Sequence, residues 1–168
     1  MGKKLLIVFG LPGAGKSFVA QVLLDHYGYT VHNGDDDLPE VMKSALLEKG
    51  QITDSMRQAF LDCMIRSLKI HLNTSNFVVL HQTLLKEFMR QALYSEFPFA
   101  QFILVTSEES VRETRYANRE YFNLGIPYLR HMSALFDPPI IPHKVLRNTK
   151  DGQEDILQQL TRIIPNNL

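Results

Sequence analysis

Residues 10–17 read GLPGAGKS, a G-x-x-x-x-G-K-S pattern with every fixed position filled. The stretch follows an apolar run, Leu5–Phe9, and precedes a helical pattern of apolar residues that starts at Phe18. These flanks matter because such a loop works only where a buried strand delivers it and a helix leaves it. The sequence therefore predicts a phosphate-binding loop between a strand and a helix.

The residue types in this loop suit a nucleoside triphosphate. Glycines let the backbone curl so that successive N–H groups converge on an anion, and the following helix N-terminus adds partial positive charge. Lys16 is expected to reach the β- and γ-phosphates, and the Ser17 hydroxyl to bind Mg²⁺. A glycine-rich turn with an incidental lysine is the alternative. We expect ATP and Mg²⁺ as cofactors, with the nucleotide bound by Gly10, Gly13, Ala14, Gly15, Lys16, Ser17 and Phe18.

Length and composition narrow the class of protein. At 168 residues the chain suits one domain with its own core, so residues 1–168 are expected to form a single unit. The chain has 18 lysine and arginine residues and 18 aspartate and glutamate residues. It therefore has no net positive charge that would attract nucleic acid or a membrane surface. The N-terminal apolar run is too short for a signal peptide, and Cys63 alone excludes an internal disulfide. We expect a cytoplasmic protein. The sequence leaves its oligomeric state open, and a homodimer is one of the states that it allows.

Apolar runs alternate with helical patterns along the chain. The expected strands are Leu5–Phe9, Tyr29–His32, Phe77–Leu80, Phe102–Val105 and, more weakly, Lys144–Leu146. This alternation predicts an α/β fold with a doubly wound, parallel five-stranded sheet of the P-loop nucleoside triphosphate hydrolase type. Ligands of such sheets collect at the carboxyl ends of the strands, so the residues just after each run are the candidates for chemistry.

An acidic triplet, Asp35-Asp36-Asp37, follows the second run. A carboxylate at this position can hold Mg²⁺ through water, or orient and deprotonate an acceptor hydroxyl. The alternative is an exposed acidic cluster at a helix N-terminus, which stabilises that helix alone. Three neighbouring carboxylates cannot converge on one point. We therefore expect one or two of them to function, with Asp35 first because it is nearest the strand end.

Three arginines share one face of a predicted helix. Arg112, Arg115 and Arg119 are spaced i, i+3 and i+7. Arginines that close over a transferring phosphoryl group stabilise its charge. The alternative is a solvated face, on which Glu108 pairs with Arg112. We expect Arg115 and Arg119 to act from a helical lid over about residues 115–128, and Arg112 to form the surface pair.

In their order along the chain, these motifs resemble the small P-loop kinases related to shikimate kinase, and gluconate kinases in particular. Matches after strand two are Gly34, Asp35, Pro39, Gly50, Ile52, Asp54 and Arg57. Matches after strand three are Thr83, Lys86 and Arg90, and the two lid arginines four apart match Arg115 and Arg119. The resemblance implies a kinase with Lys16, Asp35, Arg115 and Arg119 as its catalytic residues. Its implied acceptor-binding residues are Asp35, Arg57, Thr83, Lys86 and Arg90.

The chain departs from gluconate kinases at positions expected to contact the sugar acid. The family's histidine before the proline is Leu38, and its Pro-Trp pair is Gln58-Ala59. These departures leave the acceptor open. A second resemblance fits Val78–Thr83, to uncharacterised ATP-binding kinases related to the polynucleotide 5′-kinase domain.

Three functions stay open at this point. We expect an ATP-dependent kinase that transfers the γ-phosphoryl group to a hydroxyl of a small polar or anionic, gluconate-like metabolite. The first alternative is a nucleoside or polynucleotide 5′-hydroxyl kinase, although the neutral chain lacks the basic track that a nucleic acid partner requires. The second alternative is a non-catalytic ATP- or GTP-binding switch protein. A switch would need a D-x-x-G-type segment after a strand, and Asp151-Gly152, the late candidate, has the wrong spacing.

Overall fold

The computed structural model of the chain describes residues 2–120, 123–150 and 152–164. Within these ranges five strands form one parallel sheet in the order β2-β3-β1-β4-β5. The strands are β1 Lys4–Phe9, β2 Thr30–Asn33, β3 Phe77–Gln82, β4 Gln101–Thr106 and β5 His143–Arg147. Each strand lies within two residues of its expected bounds, so the predicted parallel five-stranded sheet is confirmed.

Seven α-helices and a short 3-10 helix accompany the sheet in the described residues. The helices are α1 Lys16–Tyr27, α2 Glu40–Leu47, α3 Asp54–Thr74, α4 Glu87–Glu96, α5 Glu109–Ala117, α6 Ile126–Leu135 and α7 Glu154–Ile163, and the 3-10 helix is Gly34–Asp37. In these parts of the chain, no helix combines the length and the apolar character needed to cross a membrane.

Strand β1 lies at the centre of the sheet and is buried on both faces. Leu5, Ile7 and Phe9 pack into one apolar cluster with α2, α3 and α4, whereas Leu6 and Val8 pack into a second cluster with α1 and α7. This division follows because successive side chains of a strand point to opposite faces. Helices therefore cover both faces of the sheet, which confirms the doubly wound arrangement.

The sheet order opens a crevice at the carboxyl ends of β1 and β3. Helix α1 leaves β1 towards one face, and α4 leaves the neighbouring β3 towards the other. Adjacent loops that diverge in this way leave a gap between them, which is where ligands bind in open parallel sheets. The predicted phosphate loop follows β1 and therefore borders this crevice.

The expected lid differs in detail from the structure. Helix α5 ends at Ala117, so Arg119 lies just beyond it, and the chain re-enters a helix at Ile126. Two residues of the expected lid, Tyr121 and Phe122, lie outside the described residues. Helix α6 was not anticipated as a separate element, because Gly125 before it and Pro127 in its first turn favour a loop in isolation.

Candidate active site

The loop between β1 and α1 folds as a tight cradle that only glycine permits. Gly10, Gly13 and Gly15 have φ angles of 144°, 80° and 94°, in the region that other residues rarely adopt. A Cβ atom on Gly13 would lie 2.5 Å from the carbonyl oxygen of Arg112, and one on Gly15 would lie 2.1 Å from Asn148 Nδ2. The loop is thus pressed against α5 and against the segment after β5.

Two side chains from outside the loop fix its backbone from behind. Asn148 is buried and donates from Nδ2 to the carbonyl oxygen of Ala14 at 2.9 Å. Arg115 reaches the same region and donates from Nη1 to the carbonyl oxygen of Asn148 and to Ser107 Oγ, at 3.3 Å each. Sequence reasoning missed Asn148 and Ser107, although both directly follow strands, which is the position that signals a role at the site.

Lys16 is half-buried at the end of the loop, and the pKa of its amine is lowered. Its Nζ donates to the carbonyl oxygen of Leu11 at 3.0 Å. Burial lowers the pKa of Lys16 to about 7, with Asp35 opposing this shift and Arg119 and Arg112 adding to it. An anion placed in the loop would reverse the shift, because a neighbouring negative charge favours the protonated amine.

A cavity of about 460 Å³ opens beside this loop. Nine of the residues expected at the site line it: Gly13, Gly15, Lys16, Ser17, Asp35, Arg57, Thr83, Arg115 and Arg119. Five others do not: Gly10 and Ala14 are buried in the loop, Phe18 is exposed on α1, and Lys86 and Arg90 point elsewhere. The phosphate loop and the ends of β2 and β3 therefore share one cavity.

The acidic triplet separates into three environments. Asp35 lines the cavity, where its Oδ1 accepts a hydrogen bond from Gln82 Nε2 at 2.8 Å. Its Oδ2 lies 3.8 Å from Arg119 Nη2, which brings the residue after α5 to the end of β2. Asp36 is exposed, and Asp37 faces away from the cavity. Position alone therefore singles out Asp35 for a role at the site.

Asp37 belongs to a polar cluster that ties the 3-10 helix to α3. Its Oδ2 lies 2.5 Å from His32 Nε2, and its Oδ1 accepts from Ser67 Oγ at 2.5 Å. His32 contacts His71 Nε2 in turn through Nδ1 at 3.2 Å. These contacts anchor the segment that carries Asp35, so the position of Asp35 depends on its neighbour two residues later.

Arg112 does not form the expected surface pair. The residue is buried, and its Nη1 donates to Ser133 Oγ on α6 at 3.1 Å. The interpretation of Arg112 as the partner of Glu108 is therefore wrong. Its partner lies 21 positions away in the sequence, on a helix that local spacing did not reveal.

Lys86 and Arg90 were expected to bind the acceptor, but neither side chain lines the cavity. Lys86 Nζ donates to Asp137 Oδ1 at 3.1 Å and to the carbonyl oxygen of Leu135 at 3.0 Å. Arg90 is fully buried, donates from Nη2 to the carbonyl oxygen of Asp137 at 2.6 Å, and stacks over the ring of Phe136. Their expected contacts with the acceptor are corrected to a structural role, which is to hold α4 to the segment after α6.

Three polar side chains complete the cavity beyond Asp35. Arg57 is 9% exposed and donates from Nη1 to Asp54 Oδ1 at 2.9 Å and to the carbonyl oxygen of Ile52 at 3.0 Å. Burial lowers the pKa of His81 to about 4, so this imidazole is neutral at pH 7. Burial raises the pKa of Tyr128 to about 12, so this phenol keeps its proton. Sequence reasoning missed Tyr128, which carries no local motif.

A strand, a glycine-cradled loop, a half-buried lysine and a helix around one crevice define a P-loop fold of the α/β class. The chain belongs to the AAA domain family (AAA_33), whose pattern matches residues 5–139.

Solved structures share this fold over almost the whole chain. A sugar kinase from Janibacter sp. HTCC2649 matches with a TM-score of 0.80 at 17% identity, covering 97% of this chain and 95% of its own. A gluconokinase from Sinorhizobium meliloti 1021 matches with a TM-score of 0.75 at 22% identity, covering 96% and 93%. A search of curated proteins found no significant match. The P-loop kinase fold implied by the sequence resemblance is therefore confirmed.

Proposed function

We propose that this protein is an ATP-dependent kinase that transfers the γ-phosphoryl group to a hydroxyl group of a small polar or anionic metabolite. One observation carries the proposal: the phosphate loop, Asp35 and Arg57 line the same cavity of about 460 Å³. A donor phosphate and an acceptor can therefore meet in this one cavity. The kinase fold of the similar structures supports this reading.

The loop residues would hold the donor. Backbone N–H groups of the cradle and the Lys16 amine bind β- and γ-phosphate oxygens, and the amine takes up a proton as it does so. Arg115, fixed against the back of the loop, and Arg119, which also lines the cavity, place positive charge where the transferred group develops negative charge. Phosphoryl transfer asks the protein mainly for this positioning and charge stabilisation.

Ser17 and Asp35 are the residues that fit Mg²⁺. Both present oxygen atoms to the cavity, and oxygen is the ligand that Mg²⁺ prefers. The described residues hold no cluster of three histidine, cysteine or acidic side chains. This suits a cation bound mainly by phosphate and water, with one or two protein ligands. When bound with ATP, the cation neutralises phosphate charge.

Asp35 is also placed to receive the proton of the acceptor hydroxyl. Gln82 fixes Oδ1, so Oδ2 is the oxygen available for proton transfer. Oδ2 lies 3.8 Å from Arg119 Nη2, and this neighbouring positive charge helps to orient the carboxylate until the acceptor arrives. The anionic group of the acceptor would pair with Arg57, which lines the same cavity.

The alternative of a polynucleotide kinase has weaker support. Residues of four helices, α2, α3, α4 and α6, line the cavity beyond Asp35. A polymer would instead need an open groove with basic side chains along it.

We also propose that the protein acts in the cytoplasm, where ATP is available.

A panel of sugar acids, polyols, nucleosides and 5′-hydroxyl oligonucleotides, scored by ADP release, tests the proposed function. We expect acceptor-dependent release with a small metabolite, and loss of that release in Asp35→Asn. The matched control is Asp36→Asn, which changes an exposed carboxylate next in sequence. Release with oligonucleotides alone would favour the nucleic acid kinase. ATP binding without transfer to any alcohol would favour a switch protein.

A further inference from the structure

We propose that the acceptor of this kinase is an amphipathic hydroxy acid, with an apolar body and a single anionic group, and not a polyhydroxy sugar acid. This inference rests on the proposed function and names its substrate class. It concerns the acceptor half of the cavity, which we define as the part lined by Leu38, by residues of α2, α3, α4 and α6, and by Ile52 and the turn before α4.

The wall of the acceptor half is predominantly apolar. Nine of its residues are leucine, isoleucine, methionine or phenylalanine, among them Met42, Leu46, Phe60, Met89 and Met132. Several belong to the main apolar cluster of the protein, so they are held in place by packing. Three are methionines, whose unbranched side chains adapt to the shape of an apolar ligand.

Few polar groups reach this half of the cavity. Among the described residues Arg57 is its one charged side chain. Both of its hydrogen bonds use Nη1, so Nε and Nη2 have no hydrogen-bond partner in the parts of the chain that the structure describes. Lys86 and Arg90, which would have added positive charge, are turned towards Asp137 instead. The acceptor half therefore offers one site for an anion.

This distribution of polar groups disfavours a polyhydroxy ligand. A sugar acid carries several hydroxyl groups besides the one that reacts, and each needs a partner when it is buried. Against this wall, the described lining of the acceptor half offers two neutral polar side chains, Thr83 and Tyr128. A buried hydroxyl without a partner costs about tenfold in affinity. An aliphatic or aromatic body gains from burial against the same surface.

The first experiment compares ligands on one protein. Isothermal titration of the MgADP-bound protein with gluconate, 6-hydroxyhexanoate and 4-(hydroxymethyl)benzoate measures affinity without turnover. We expect one of the two amphipathic acids to bind at least about tenfold more tightly than gluconate. Tighter or equal binding of gluconate would overturn the inference, and so would binding of none of the three to protein that binds MgADP normally.

Two variants test whether the amphipathic acid binds against the apolar wall of the acceptor half and pairs with Arg57. Met42→Gln makes the wall polar and should weaken the amphipathic acid about tenfold while leaving MgADP affinity unchanged. Its control is Val41→Gln, on the exposed face of the same helix, where Val41 is 66% exposed. Arg57→Gln should remove the preference for 4-(hydroxymethyl)benzoate over the uncharged 4-methylbenzyl alcohol. Equal effects of the Met42 and Val41 variants, or a preference retained without Arg57, would contradict the inference.

ADP release from MgATP separates this inference from the proposed function. Binding of an amphipathic acid together with its phosphorylation supports both. Binding in the manner described, with no phosphorylation of any alcohol, supports the class of ligand and overturns the kinase function. Phosphorylation of gluconate in preference to the amphipathic acids supports the kinase function and overturns the class of ligand.

Discussion

Nucleotide binding should take up a proton through Lys16. Burial lowers the pKa of this amine to about 7 from its usual 10.5. About 90% of it is therefore neutral at pH 8, about half at pH 7 and about 10% at pH 6. Phosphate oxygens beside the amine restore its pKa, so binding at pH 8 should take up about 0.9 proton, falling to about 0.1 at pH 6.

Isothermal titration with MgATP analogue in buffers of different ionisation enthalpy measures this uptake. The reference is Lys16→Arg, because a guanidinium is charged throughout this range and should take up no proton at the position. Subtracting its uptake also removes protons that the nucleotide exchanges with solvent. An uptake at pH 8 that is the same in wild type and Lys16→Arg would refute the lowered pKa of Lys16.

The lowered pKa of Lys16 also determines how the free energy of unfolding changes with pH. The unfolded chain binds more protons than the folded protein between pH 7 and 10.5, so the stability of the nucleotide-free protein should rise with pH across that window. Lys16→Met removes the buried amine. This variant should raise the free energy of unfolding at pH 7 by up to about 4 kcal/mol and should weaken nucleotide binding. The lysine therefore destabilises the nucleotide-free fold but is needed for nucleotide binding.

Three further predictions follow from other residues. Asp35→Asn should lower kcat by about 10²–10⁴ with little change in the Kd for ATP, because it removes a base and a charge, whereas Asp36→Asn should be near wild type in the same steady-state assay. Asp37→Asn should lower the free energy of unfolding by about 1–3 kcal/mol in urea denaturation, since it disrupts the bonds that anchor the 3-10 helix; an unchanged midpoint would contradict this role. The pKa of His81, about 4 when folded and 6.5 when exposed, means that the unfolded chain binds more protons between these values, so stability should fall as pH falls from 6.5 to 4. In His81→Gln, the loss of free energy of unfolding between pH 6.5 and pH 4 should be smaller by up to about 3 kcal/mol, as measured by urea denaturation at several pH values. The same loss in wild type and variant would show that protonation of His81 does not contribute to the pH dependence of stability.

The sequence predicted the elements whose signals are local. The strands of a parallel sheet are continuous apolar runs because they are buried on both faces, so Leu5–Phe9 and its counterparts were visible without the structure. The phosphate loop was equally visible, since its glycines occupy backbone conformations that other residues avoid. These local features were sufficient to predict the fold class and the position of the phosphate loop between β1 and α1.

Features that depend on distant partners could not be predicted. The family resemblance implied that Lys86 and Arg90 bind the acceptor, but both donate hydrogen bonds to Asp137, about 50 positions later in the sequence. Arg112 is likewise taken by Ser133 on a helix that has no local signature. The apolar wall of the acceptor half is assembled from four helices and from the segments before α2, α3 and α4, and no local sequence alone distinguishes a cavity wall from a packed core.

Phosphoryl transfer by a folded Lys16→Ala variant tests the kinase assignment most directly. The measurement follows the γ-phosphoryl group of ATP onto the hydroxyl of the best acceptor by ³¹P nuclear magnetic resonance, with circular dichroism to establish that the variant is folded. We expect transfer to fall by about 10³ or more, because the amine meets charge that grows in the transition state. Near-normal transfer by the folded variant would contradict the assignment of the cavity as a kinase active site.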